Sequence, residues 1–169
     1  MWIGSIRFRV KTKDSPHAGT DSLVTAKLKR DGHDIEEFAL DYPTENDLQR
    51  GAVRNYDYIG PTKLPRNNDK TPELPFGIVK TPMPYPEYGV EFSHGIQGHF
   101  TLRLEIHNDD AWTRDSVELF VREIRLKSSG IDTLEWIEDS DWTAVAVWNR
   151  DVTMSTDSSE GLSLWDLTF

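Results

Sequence analysis

The stretch His17-Ala18-Gly19-Thr20-Asp21-Ser22-Leu23-Val24 is a turn that leads directly into a strand, and the fold prediction starts from it. Before it, the apolar residues Ile6, Phe8 and Val10 alternate with basic residues, which is the period-two pattern of a half-buried strand. After it, Ser22 to Lys29 predicts a second strand. An oxygen-rich turn between two strands is a rigid place for a hard cation, but an ordinary polar hairpin loop is the better explanation of this stretch taken alone.

The composition indicates one folded domain and disfavours nucleic acid as a partner. The chain has 169 residues, no cysteine, six tryptophans and a formal net charge of -10. The length is sufficient for a buried core, and the aromatic content argues against disorder. Negative charge disfavours binding to nucleic acid or simple attachment to anionic membranes, because phosphate attracts cations. It suits cation binding or a basic protein partner.

The sequence contains no recognisable signal for export, membrane insertion or catalysis. No signal peptide and no apolar run of membrane-spanning length is visible, so we expect a soluble chain whose localisation stays open. The absence of cysteine excludes disulfides and thiolate metal sites. No nucleophile elbow or phosphate loop occurs, so we do not expect an enzyme.

Short alternating runs separated by turns predict an all-β fold. The predicted strands are Ile3–Lys11, Ser22–Lys29, Ile35–Leu40, Asn55–Ile59, Val90–Phe92, Phe100–Ile106, Val117–Leu126, Leu134–Ile137, Thr143–Trp148 and Leu162–Phe169. The run Val117–Leu126 changes phase once, which predicts a bulge near Arg122. Since no segment has a helical period, we predict an eight-stranded antiparallel β-sandwich in which residues 1–169 form a single domain.

Residues 60–98 are predicted to form a long proline-rich loop inserted in this domain. Seven of the nine prolines of the chain fall there, which excludes a helix or a central strand. Aromatic and aliphatic residues within it offer material for packing. A loop of this length inside a compact domain usually has a function or is an addition specific to a family.

Two motifs resemble those of the PLAT (LH2) domain family, the β-sandwich attached to lipoxygenases, pancreatic-type lipases and alpha-toxin phospholipases C. They are Ala18-Gly19-Thr20-Asp21 and Asp110-Ala111-Trp112, and Leu48-Gln49-Arg50-Gly51 matches a third family feature in its spacing. The resemblance covers about residues 5–60 and 98–148 and is greatest to the calcium-binding C-terminal domain of the alpha-toxin type. It implies a non-catalytic PLAT-like sandwich.

The resemblance also implies two calcium (Ca²⁺) sites among three loops at one end of the sandwich. The first would use the Gly19 carbonyl, the Asp110 carboxylate and the Ala111 carbonyl. His17 stands where the family has a carboxylate, and imidazole is a poor ligand for a hard cation, so this site should be weakened. The alternative is that the loops only maintain the fold and bind no ion.

The second implied site has more negative charge. It would use Thr20, the Asp41 carboxylate, the Tyr42 carbonyl and Asp47, and the remaining carbonyl would come from Thr44 or Glu45. Exposed loop sites with few charges bind calcium with dissociation constants of about 10⁻⁴ to 10⁻³ M.

Two functions follow from these observations. The first is a calcium-binding module for calcium-assisted lipid or membrane binding, in which Trp112 contacts the membrane or a partner. Trp112 can equally pack beneath its loop. The alternative is a calcium-independent protein–protein interaction module (an adaptor, inhibitor or assembly component) that uses residues 60–98. The oligomeric state is open.

Overall fold

A computed structural model describes residues 2–30, 32–40, 46, 48–59, 90–91, 100–108, 110–130, 133–138 and 140–168 of the chain. Strands account for most of this part. In chain order they are β1 (Trp2–Thr12), β2 (Val24–Arg30), β3 (His33–Ala39), β4 (Val53–Ile59), β5 (Val90–Glu91), β6 (Phe100–Ile106), β7 (Trp112–Gly130), β8 (Thr133–Glu138), β9 (Thr143–Trp148), β10 (Val152–Met154) and β11 (Leu164–Thr168).

The strands form two antiparallel sheets, which confirms the predicted all-β sandwich. One sheet has the order β10-β7-β1-β4, with β5 paired to β1 and with β8 and β9 paired to β7. The other has the order β11-β6-β2-β3. The described residues contain eleven strands and not the predicted eight. Ten of them coincide with the runs identified in the sequence, and the one that was not identified is the three-residue strand β10, which pairs with the start of β7. Across the same part of the chain, no helix is long and apolar enough to cross a membrane.

The core lies between the facing sides of the two sheets. Along β6 every second residue, from Phe100 to Ile106, is buried, as the period-two pattern predicts. The rings of Phe8 on β1 and Phe38 on β3 lie 5.3 Å apart and join the two sheets. Each large apolar side chain buried in this way contributes about 1.5–3 kcal/mol to the stability of the fold. Most of the proline-rich segment 60–98 lies outside the described residues, so its prediction is untested.

Two shifts of register between β1 and β7 decide which residues face the core. The first lies opposite Arg122, where the bulge was predicted, but the extra residue is Gly4 on β1. The second places the extra residue Asp115 on β7, between the pairs Lys11–Ser116 and Thr12–Arg114. Because a bulge reverses the alternation of side chains, this second shift allows Trp112, Arg114 and Val117 all to be buried.

Candidate functional site

Backbone hydrogen bonds fix the turn after β1 at one end of the sandwich. The Thr20 N–H donates to the Leu48 carbonyl at 3.1 Å, and the Gly51 N–H donates to the Lys13 carbonyl at 3.2 Å. On the other side, the Thr113 N–H donates to the Ala18 carbonyl at 2.9 Å. The turn is therefore held between the connection that precedes β4 and the start of β7.

The glycine of the Ala-Gly-Thr-Asp motif is required by a close approach of two backbones. A Cβ atom at Gly19 would lie 2.9 Å from the Arg50 nitrogen and 3.1 Å from the Gln49 Cα. These atoms belong to the backbone and cannot rotate away as a side chain would. The motif therefore packs directly against Leu48-Gln49-Arg50-Gly51, the other motif noted for its spacing.

Asp110 reaches this turn from the loop between β6 and β7. Its Oδ2 accepts a hydrogen bond from the Asp21 N–H at 3.0 Å, across 89 residues of sequence. The Ser22 hydroxyl adds two contacts to the Asp110 backbone, at 3.3 Å to the nitrogen and 3.4 Å to the oxygen. The carboxylate of Asp110 is thus held in place before any ligand arrives.

These residues surround an open cleft of about 250 Å³. Its lining is His17, Gly19, Thr20, Asp21, Gln49, Arg50 and Asp110. Gln49 Nε2 donates to Asp21 Oδ1 at 3.1 Å, and Arg50 Nε donates to Asp14 Oδ1 at 2.7 Å. Because Asp14 balances the charge of Arg50, the two carboxylates of the cleft leave it with negative charge, which suits a cation with oxygen ligands.

The cleft brings together part of the first predicted calcium site. Gly19 and Asp110 both line it, as does Thr20 from the second predicted site. Ala111 follows Asp110 in the chain and is half-buried, and it is not part of the cleft lining. Thr20 is buried, and its Oγ1 accepts a hydrogen bond from the Ser22 N–H at 3.0 Å.

The rest of the second predicted site lies outside the described residues. This applies to Asp41, Tyr42, Thr44, Glu45 and Asp47. Their contribution to a calcium site stays a prediction.

His17 is exposed and lines the cleft. Its φ angle is 60°, in the left-handed region that non-glycine residues seldom occupy. Asp and Asn tolerate this region better than most residues because their short side chains bond locally. The position therefore suits an Asp or Asn sterically.

Trp112 lies in the core and does not contact the surface. Its side chain is 0% exposed, and its Nε1–H donates to Thr12 Oγ1 at 3.0 Å. A membrane anchor or partner contact needs an exposed ring, so this prediction for Trp112 is corrected. The physical reason is that β7 begins at Trp112 with its side chain directed between the sheets.

A second group of possible ligands on the outer face of the other sheet was missed by sequence reasoning. Ligand atoms of Glu37, Glu105 and His107 lie within 4.8 Å of one another. The ammonium group of Lys27 already forms ion pairs with both carboxylates, at 2.7 Å from Glu105 Oε2 and 3.7 Å from Glu37 Oε1. His107 Nε2 lies 3.0 Å from Thr25 Oγ1. The signal in the sequence was weak, because Glu37 is on β3, Glu105 is on β6 and His107 follows β6, and the two strands are separated by β2.

Comparisons with known proteins add little to this geometry. No protein-family model matches the chain, and no curated protein sequence matches it. Among solved structures, the alpha toxin from Clostridium absonum matches with a TM-score of 0.45 and 16% identity. The match covers 86% of this chain and 32% of the toxin chain, so this chain spans about a third of the toxin's length. The likeness is too low to support a functional argument.

Proposed function

We propose that this chain is a non-catalytic calcium-binding module in which a calcium ion held in the cleft assists binding to a lipid membrane. The observation that supports it best is the position of the Asp110 carboxylate against the Gly19–Asp21 turn, at 3.0 Å from the Asp21 N–H. A carboxylate from one loop and the backbone of another then face the same open space. Carboxylate and backbone carbonyl oxygens from loops are the ligands that calcium prefers.

The oxygen chemistry of the cleft fits calcium better than a softer metal. Asp110 Oδ2 accepts one hydrogen bond, and among the described residues Oδ1 accepts none, so it is available to an ion. Asp21 offers a second carboxylate. Calcium takes six to eight oxygen ligands, so water and the predicted ligands Asp41 and Asp47 would complete the shell.

Calcium would have two effects on membrane binding. The chain carries a formal net charge of -10, which repels an anionic lipid surface. A bound divalent ion reduces this local charge and coordinates lipid phosphate oxygens at the same time. Since Trp112 is buried, the proposed contact depends on the ion and the loops around it, and not on an inserted indole.

The test is a calcium titration by calorimetry, combined with melting temperatures, on the wild type and Asp110→Asn. A ligand that binds only the folded state raises the melting temperature by mass action. We expect a calcium-dependent rise in the wild type and its loss in Asp110→Asn. The matched control is Asp141→Asn, which removes an exposed carboxylate between β8 and β9 and should leave the rise intact.

Sedimentation with phosphatidylcholine–phosphatidylserine vesicles, with calcium or with a chelator, then tests the membrane step. Binding that needs calcium and is lost in Asp110→Asn supports the proposal. A flat titration at millimolar calcium would overturn it. The calcium-independent protein interaction through residues 60–98 would then be tested by comparing pull-downs of the full chain with those of a variant lacking this segment.

A further inference from the structure

Arg114 is a buried arginine with an unusual set of partners. It lies on β7 between the two sheets, and its side chain is 0% exposed. Its Nη1 donates to the Arg150 carbonyl at 3.1 Å. Its Nε and Nη2 are buried and have no hydrogen-bond partner in the described part of the chain. Buried polar groups are nearly always paired, so two unpartnered donors on one guanidinium require an explanation.

The two unpartnered atoms form the edge of the guanidinium that binds oxyanions in a bidentate way. The same pair is used twice elsewhere in this chain. Arg7 Nε and Nη2 donate to the two oxygens of Asp57 at 2.6 and 2.5 Å. Arg103 Nε and Nη2 donate to Asp166 at 2.6 and 2.7 Å. Arg114 therefore has the same two nitrogens that bind a carboxylate at Arg7 and Arg103, but in the described part of the chain no acid accepts a hydrogen bond from them.

The surroundings of Arg114 are cationic and aromatic. Its Cζ lies 4.4 Å from the centre of the Trp165 ring, and the Cζ of Arg150 lies 5.5 Å from the same ring. The nearby carboxylate of Asp151 is bound to Lys13. Burial and, secondarily, the charge of Arg150 lower the pKa of Arg114 to about 10. An isolated buried charge of this kind is unfavourable until an anion pairs with it.

Arg114 lies close to the edges of both sheets. Arg114 is covered by side chains near the edges of both sheets, since β10 and β11 are the terminal strands in their sheet orders. Arg150 is exposed and Trp165 is half-exposed. Because Arg114 is 0% exposed, a phosphate can reach it only if side chains at these edges move, and Trp165 packs directly over its guanidinium, at 4.4 Å from Cζ to the ring centre.

We propose that Arg114, Arg150 and Trp165 form a binding site for a phosphate group. Two guanidiniums match the charge of a phosphate, and the free edge of Arg114 matches two of its oxygens. The phosphate can belong to a free anion or to a lipid head group. The site lies apart from the calcium cleft, shares no lining residue with it, and does not depend on the proposed function.

The experiment is a titration of the full chain with inorganic phosphate, at ionic strength held constant with chloride. Tryptophan fluorescence reports changes around the six tryptophans of the chain, Trp165 among them, and the melting temperature reports binding. We expect both signals to saturate at millimolar phosphate in the wild type. Arg114→Met should melt at the same or a higher temperature in chloride, because it removes unpaired donors, and it should lose both phosphate responses.

Two further variants separate binding from general effects of phosphate on stability. Arg114→Lys keeps the charge but loses the bidentate edge, so it should weaken phosphate binding about tenfold or more. Arg9→Gln removes an exposed arginine on the outer face of β1 and should respond as the wild type does. Two competitors identify the source of the phosphate group. Competition by glycerophosphate supports a small soluble phosphate ester, and competition by vesicles containing phosphatidic acid supports a lipid head group.

Three results would overturn the proposal. The first is a wild-type response that does not saturate, and the second is an equal response in the wild type and Arg114→Lys. The third is a lower melting temperature of Arg114→Met in chloride with no specific response of the wild type to phosphate. This last result would assign Arg114 a purely structural role.

Discussion

The Nε1–H of Trp112 donates a hydrogen bond to Thr12 Oγ1 at 3.0 Å, and the same hydroxyl donates to the Leu48 carbonyl at 3.4 Å. One buried hydroxyl therefore joins the end of β1, the start of β7 and the connection that precedes β4. The residues that line the candidate calcium cleft lie on the loops next to these elements. The geometry of the cleft thus depends on a polar contact beneath it.

Thr12→Val should destabilise the fold although it preserves the shape of the side chain. It would leave the indole N–H and the Leu48 carbonyl without their partner, and an unsatisfied buried group costs about 1–3 kcal/mol. Denaturant unfolding measures this change. Thr101→Val, at a half-buried outward position on β6, is the control and should change stability by about 0.5 kcal/mol or less. Equal effects of both variants would contradict the structural role of Thr12.

Trp112→Ala should reduce stability by about 3–5 kcal/mol, because it creates a cavity in the core. Denaturant unfolding measures the loss of free energy. A membrane-contacting Trp would instead leave stability nearly unchanged and reduce binding to vesicles. This second pattern would contradict the buried position of Trp112.

Gly19→Ala should destabilise the fold and disturb calcium binding together. The added Cβ would lie 2.9 Å from the Arg50 nitrogen, so the two backbones must move apart. Overpacking of this kind costs about 1–3 kcal/mol. The control is Gly32→Asn, since Gly32 has a φ of 82° that Asn tolerates and nothing within 4 Å of its Cβ position. Melting temperature and calcium titration of both variants check the prediction, which fails if Gly19→Ala behaves as the control does.

His17→Asp should raise the affinity of the cleft for calcium severalfold. The new carboxylate adds charge and an oxygen ligand at a position that lines the cleft. The matched control is His17→Asn, which relieves the strain at a φ of 60° equally well but adds no charge. Calorimetric titration of the two variants compares the affinities. A similar affinity in both would show that His17 lies too far from the ion to matter.

The pair Arg103–Asp166 between β6 and β11 should make stability depend on acid pH. The hydrogen bond from Arg103 lowers the pKa of Asp166 below its ordinary value. Since the folded state prefers the ionised acid, the stabilisation is complete above about pH 4 and is lost as pH falls through the lowered pKa. Its size is about 1 kcal/mol or less because the pair is partly exposed.

Asp166→Asn tests this dependence. The difference in unfolding free energy between wild type and variant should be present at pH 7 and vanish at strongly acid pH. A difference that stays constant with pH would exclude a role for the ionised carboxylate.

Part of the candidate cleft is formed by residues that the sequence analysis had already identified. The Gly19 motif and Asp110 were both predicted to lie at one end of the sandwich, and both line the cleft. Gln49 and Arg50 were noted only for the spacing of their motif. Their place in the cleft follows from the close approach to Gly19, which involves backbone atoms distant in sequence and leaves no local pattern.

Sequence alone determined the positions of most strands and, where no bulge intervenes, which side of a strand is buried, because the period of two is a local property of extended backbone. The all-β class and the buried face of β6 follow from it. Tertiary structure decided which polar side chains are buried and where the alternation of buried and exposed residues along a strand shifts by one. The extra residue Asp115 on β7 allows Trp112, Arg114 and Val117 to face the core together, and no local rule predicts a buried arginine with two unpartnered nitrogens. Register, and therefore burial, is set by the partner strand, and the partner is chosen by contacts between residues far apart in the chain.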